Sequence, residues 1–122
     1  EAEIEEKMEM PIKEKGVYLV TGGLGGISAH VARMLLKEYQ TRIIIVGRTI
    51  LPDRVLWDEY MDCNLNLSRK IKTYKDLESM GGQIVYVSGD INDDGFIQTL
   101  QHTAETTWGC KLDGIFHLAG IG

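Results

Sequence analysis

The sequence predicts an α/β fold, a parallel sheet with helices on both faces. Three observations point there. Four short apolar runs, Val17–Val20, Ile43–Val46, Ile84–Val87 and Ile115–Leu118, alternate with stretches whose apolar residues recur at helical spacing. The first two runs lack the polar alternation of a half-exposed strand and so read as strands buried on both faces. Each connection is long enough to hold a helix, so consecutive strands run parallel with right-handed crossovers.

The elements follow in order. After the first strand comes a glycine cluster, then Ile27, Val31, Met34 and Leu35 at i, i+4, i+7 and i+8, one helix face. Ile43-Ile44-Ile45-Val46 is β-branched throughout and ends at Gly47. Residues 48–66 are irregular and long for a strand-to-helix connection, with a short helix expected near Trp57. Leu67, Ile71, Tyr74 and Leu77 mark the second helix, and Gly81-Gly82 stops it. After the third strand, Asn92 is the expected N-cap of a helix carrying Phe96, Leu100 and Ala104, with Gly109 closing it. The resulting β-α-β-α-β-α-β order implies strand order 3-2-1-4. That is one Rossmann half plus the first strand of the second, truncated after the fourth strand. Residues 1–15, charged and carrying Pro11, read as a linker from a preceding segment, and residues 16–122 as the folded part.

Composition limits the function. An apolar content of 43% with 25% charged residues fits a globular chain rather than a disordered one. A formal net charge of -5 argues against nucleic acid as a partner. No apolar run is long enough to span a bilayer, and the acidic N-terminus (Glu1, Glu3, Glu5, Glu6, Glu9) lacks a signal-peptide pattern. Cys63 and Cys110 lie far apart without metal-ligand spacing, so two reduced thiols, no metal and a cytoplasmic location are expected.

The chemistry lies in the first turn. Thr21-Gly22-Gly23-Leu24-Gly25-Gly26-Ile27-Ser28 joins a strand directly to a helix. Glycines allow a tight turn and close approach of backbone N–H groups to a pyrophosphate, and the helix N-terminus adds unsatisfied donors and a partial positive charge. At the exit of the second strand, where NAD-specific folds carry an acid, the sequence reads Gly47-Arg48-Thr49. Arg48 there can fork onto a 2′-phosphate, or it can pair on the surface with Asp53 or another nearby acid. The third strand ends at Asp90-Ile91, on the cofactor rim, where Asp90 can also serve to start the next helix.

Thr21-Gly22-x-x-x-Gly26 resembles the fingerprint of the short-chain dehydrogenases, and Thr-Gly-Gly-Leu-Gly-Gly-Ile with Val31-Ala32-Arg33 resembles, more narrowly, the ketoreductase domains of modular polyketide synthases. The extended 48–66 connection with Trp57 resembles the same domains, and Trp57 is expected to pack that loop onto the body. The resemblance implies NADP(H) as cofactor, held by Thr21 to Ile27, by Gly47, Arg48 and Thr49, and by Asp90 and Ile91 at the adenine. At the nicotinamide end it implies Ala119 and Gly120, within His117-x-Ala119-Gly120. It also implies a β-ketoacyl substrate on an acyl carrier protein and other synthase domains as partners. His117 reads as a strand-end histidine bonded to backbone rather than a proton shuttle.

Two departures stand out. Ser28 occupies the position of the fingerprint's last glycine and is expected to weaken cofactor binding, unless its hydroxyl bonds a phosphate or caps the helix. The family's Ser and Tyr-x-x-x-Lys are absent: four residues beyond Tyr18, Tyr39, Tyr60, Tyr74 and Tyr86 stand Gly22, Ile43, Asn64, Glu78 and Asp90. No catalytic residue is therefore assigned, and Ile115–Leu118 is expected to present an open apolar edge prone to association. A free-standing short-chain dehydrogenase and a non-catalytic NADP(H)-binding module remain as alternatives.

Overall fold

In the computed structural model, residues 12–60 and 65–118 are described. Strand β1 (Val17–Thr21) leads into helix α1 (Gly26–Tyr39), then strand β2 (Arg42–Gly47). A 3-10 turn at Arg54–Leu56 and the one-turn helix α2 (Trp57–Tyr60) precede helix α3 (Leu65–Glu78). Strand β3 (Gln83–Ser88), helix α4 (Phe96–Trp108) and strand β4 (Gly114–Phe116) complete the order. The sheet is four-stranded and parallel, in the order β3-β2-β1-β4 that the sequence predicts.

The two central strands explain their own apolar runs. Side chains alternate across a sheet, so Tyr18 and Val20 of β1 and Ile43 and Ile45 of β2 enter one core with Val31, Leu35 and Leu36 of α1 and Ile71 and Leu77 of α3. Val17, Leu19, Ile44 and Val46 enter the other core, beneath Leu100 and Ala104 of α4. Helices thus cover both faces. Both central strands are buried over nearly their full length, while the edge strand β3 is only half-buried.

Two local expectations change. The strand expected over Ile115–Leu118 runs Gly114–Phe116, pairing with Tyr18 to Val20; Phe116 and Leu118 point into the core and Ile115 is exposed. Among the described residues β4 pairs with β1 alone. Asn92 is not a helix cap. Its N–H is taken by the Asp90 carboxylate at 2.9 Å, and α4 begins after the left-handed Gly95, without a side-chain cap. Asp90 therefore closes a tight turn of its own, which displaces the helix start by a turn's length.

Of the predicted linker, residues 12–15 are described, and they are tied to the body. The Lys13 N–H donates to the Tyr18 hydroxyl at 2.8 Å, and the Lys15 carbonyl accepts from the Arg42 guanidinium at 2.7 Å. Across the same end of the sheet, the Asp113 carboxylate accepts the Val17 N–H at 2.9 Å and the Lys13 ammonium at 3.0 Å. The Val17 bond, with Lys13 in support, holds the Asp113 carboxyl below its ordinary 3.8. A depressed folded pKa contributes stability above the unfolded value, and the contribution is lost as pH falls through the folded one. Replacing Asp113 by Asn should therefore lower stability at neutral pH and flatten its decline as pH falls below the ordinary carboxylate range, about 4, read by urea unfolding at several pH values. Fully buried Ile44 sets the scale for the core. Ile44→Ala should cost about 2–5 kcal/mol by the same measurement.

Candidate functional site

β1, β2 and β3 end level with one another. Thr21 pairs with Val46, and Gly47 with Ser88, so the three chains leave the sheet side by side at the carboxyl rim. A cleft of about 270 Å³ opens there. It is lined by Gly22 and Gly23 of the first turn, by Gly47, Arg48 and Thr49 after β2, and by Asp90 to Asn92 after β3.

The turn after β1 takes its shape from glycine. Gly22 and Gly23 both have left-handed φ, +100° and +71°. The Gly23 N–H donates to the Val46 carbonyl at 2.7 Å, so the turn is bonded onto the end of β2. There Gly47 meets it. A Cβ on Gly47 would come 2.8 Å from the Gly23 Cα and 2.6 Å from the Tyr86 hydroxyl. Only a glycine lets the two turns touch.

α1 then starts at Gly26, its first bond running from the Ala29 N–H to the Gly25 carbonyl at 2.8 Å. The amides before Ala29 have no helical acceptor and face the rim as donors. Leu24 and Ile27 send their side chains into the core and offer the rim only backbone. Ser28 is buried, and its hydroxyl donates to the Thr21 carbonyl at 2.9 Å. It neither caps the helix nor points to the rim; it stitches α1 to the end of β1. Thr21 is buried as well, its Oγ1 accepting the Leu118 N–H at 2.8 Å and lying 3.4 Å from His117 Nδ1. His117 thus meets a hydroxyl rather than the expected backbone group.

Of the predicted site residues, the cleft brings together Thr21, Gly22, Gly23, Gly47, Arg48, Thr49, Asp90 and Ile91. Leu24, Gly25 and Gly26 line an adjoining groove between α1 and α3. Ala119 and Gly120 lie outside the described residues, as does Cys63. Arg48 reaches across the cleft to Asp90, at 3.0 Å, and not to Asp53. The pair is largely exposed on the arginine side, so it adds little stability, but it joins the two side chains expected at opposite ends of an adenosine.

Two participants are not among the site residues read from the sequence. Lys70 of α3 lines the same cleft as Arg48. Tyr86 of β3 lies beneath it and donates its hydroxyl to the Thr49 carbonyl at 2.6 Å, fixing the strand exit; burial pushes that phenol above its usual 10.0. The insertion that follows is clamped down as expected. Trp57 is buried, donates to the Pro52 carbonyl at 2.8 Å, meets the Tyr74 ring edge-on at 5.6 Å and is covered by the Arg54 guanidinium at 4.5 Å. Arg54 in turn forks onto Glu78 of α3. No group of His, Cys, Asp and Glu among the described residues is arranged to hold a metal, and no described helix is long and apolar enough to cross a membrane.

Residues 16–122 match the KR domain family. The chain belongs to that family. It is 34% identical over 106 residues to the polyketide synthase PksL of Bacillus subtilis, covering 86% of this chain and 2% of that one. A 6-methylsalicylic acid synthase of Arthrobotrys oligospora is 31% identical over 116 residues, covering 95% and 6%. The crystal structure of an N-terminal ketoreductase from the macrolactin assembly line superposes with a TM-score of 0.70 at 28% identity, covering 92% of this chain and 20% of that one. The KR chain thus spans a small part of each, and its parallel sheet has the fold of short-chain dehydrogenase-type ketoreductases.

The contact between the two turns of this KR chain is open to test. Gly47→Ala should destabilise it by about 1–3 kcal/mol, because a Cβ there overpacks against backbone. Compared in a cycle with Tyr86→Phe alone, which loses the Thr49 bond, adding Tyr86→Phe removes the hydroxyl half of the clash and should relieve only part of the Gly47→Ala loss in urea unfolding, since the Gly23 backbone remains.

Proposed function

We propose that this chain is the NADPH-binding portion of a ketoreductase that reduces a β-ketoacyl thioester, carried on an acyl carrier protein, to the β-hydroxyacyl form during polyketide biosynthesis. The observation that carries the reading is the rim itself, where a glycine turn with left-handed φ, a helix N-terminus and Arg48 converge on one cleft. The family and its synthase relatives support the reaction class.

The donor set fits a dinucleotide phosphate. The backbone from Gly22 to Ile27 would receive the pyrophosphate, with no side chain intruding from Gly22, Gly23, Gly25 or Gly26. Arg48 and Thr49 would take the 2′-phosphate, Asp90 and Ile91 the adenine edge, and Ala119 and Gly120 would lie by the ribose and nicotinamide. When bound, the cofactor supplies the hydride for carbonyl reduction. The chain's own part is to bind and orient it. Proton donation and carbonyl positioning need a Ser and a Tyr-x-x-x-Lys that this sequence does not contain. Other domains of a multidomain synthase are the proposed partners, and a cytoplasmic setting fits the thiol chemistry expected of Cys63 and Cys110.

Arg48 already has a partner, so cofactor binding exchanges a carboxylate for a phosphate at the guanidinium. A phosphate dianion is the stronger acceptor, and the exchange favours binding. Titrating the chain with NADPH and with NADH, followed by nucleotide fluorescence, tests the reading. NADPH should bind more tightly, and Arg48→Ala should erase most of that preference, about tenfold or more. Equal affinities in the unaltered chain would sink the cofactor assignment.

A further inference from the structure

The cleft holds a cation to which the Arg48 reading assigns no role. Arg48 is neutralised across the rim by Asp90, 3.0 Å away, so that pair contributes no net charge. Lys70, on the second turn of α3, lines the same cleft and, among the described residues, makes no ion pair or hydrogen bond. Along the adjoining α1–α3 groove, Arg33 is likewise spent, on Asp76 at 2.8 Å, and Arg69 faces that groove alone. Lys70 lines both spaces, the cleft shared with Gly22, Gly23 and Arg48 and the groove shared with Gly25 and Gly26. A dianion seated at Arg48 and Thr49 therefore meets one compensated cation and one uncompensated cation. The uncompensated one is a compact ammonium on a flexible stem that can follow a phosphate.

We propose that Lys70 is a second phosphate-binding residue and contributes, together with Arg48, to the preference of this cleft for a 2′-phosphorylated adenine nucleotide. This rests on the reading of the cleft as an NADPH site. Arg48 supplies the planar fork and Lys70 the excess positive charge that a dianion requires, delivered from a helix rather than from the strand exit.

The test separates the two claims. The full chain is titrated with adenosine 2′,5′-bisphosphate and with adenosine 5′-monophosphate by calorimetry, in the unaltered form and as Lys70→Met, Lys70→Arg and Arg69→Met. Lys70 is a partly exposed polar position on a helix surface, and circular dichroism checks that each variant folds as the parent does. Lys70→Met should weaken the bisphosphate by about tenfold and leave the monophosphate within about twofold. Lys70→Arg should keep most of the bisphosphate affinity, and Arg69→Met should change neither ligand. Equal loss for both ligands, no loss at Lys70→Met, or an equal effect at Arg69 would overturn the assignment to Lys70. If the unaltered chain itself fails to prefer the bisphosphate, the 2′-phosphate reading falls, and the role of Lys70 falls with it.

Discussion

β1 and β2 run parallel and in register, so two chains must leave the sheet at the same level, less than 5 Å apart in the ladder by ordinary strand spacing, about 4.8 Å. Ordinary residues at both exits would collide. The conflict is resolved by placing Gly23 of one turn against Gly47 of the other, where even one added Cβ would lie 2.8 Å from backbone. The rest of the rim depends on this contact. It brings the turn close enough for the Gly23 N–H to reach Val46, starts α1 directly above the strand ends, and leaves an open cleft in place of side chains.

The second dependency is charge. The rim combines helix-end donors with Arg48, Lys70 and Asp90. A single acid inside a basic cleft costs anion affinity by simple repulsion. Asp90 makes two bonds, one from the Asn92 N–H and one from Arg48. Its carboxylate is therefore held in place before any ligand arrives.

Much of this was legible in the sequence, and the physics says why. β1, β2 and the strand order follow from apolar runs that only a doubly covered parallel sheet accommodates, and each buried position from Val17 to Val20 and from Ile43 to Val46 carries its own signal. The glycine turn was legible because its residue types are demanded by local φ. Lys70 was not, since a lysine on a helix between Arg69 and Ile71 has the pattern of any solvated face; its place at the cleft is set by how α3 crosses the sheet. Tyr86 was invisible for a similar reason: its ring reads as strand filler, and its hydroxyl finds Thr49 only through the β2–β3 register. Asn92 misled because cap preference is a local rule, and the Asp90 turn, also local, captured its amide first. At position 28 a serine in place of glycine suggested weakened cofactor binding or a hydroxyl on a phosphate or helix cap; the structure gives the hydroxyl the Thr21 carbonyl instead.

The bond from the Gly23 N–H to the Val46 carbonyl has a consequence for the order of assembly. The turn precedes its acceptor by more than twenty residues in the chain, and a polypeptide made from its N-terminus exposes the turn well before β2 exists. During synthesis the glycines of residues 22–26 remain a loose tether. They take their final curvature only when Arg42–Gly47 has emerged and docked beside β1. The geometry of the turn is thus a product of sheet formation, complete only once the first strand crossover has closed.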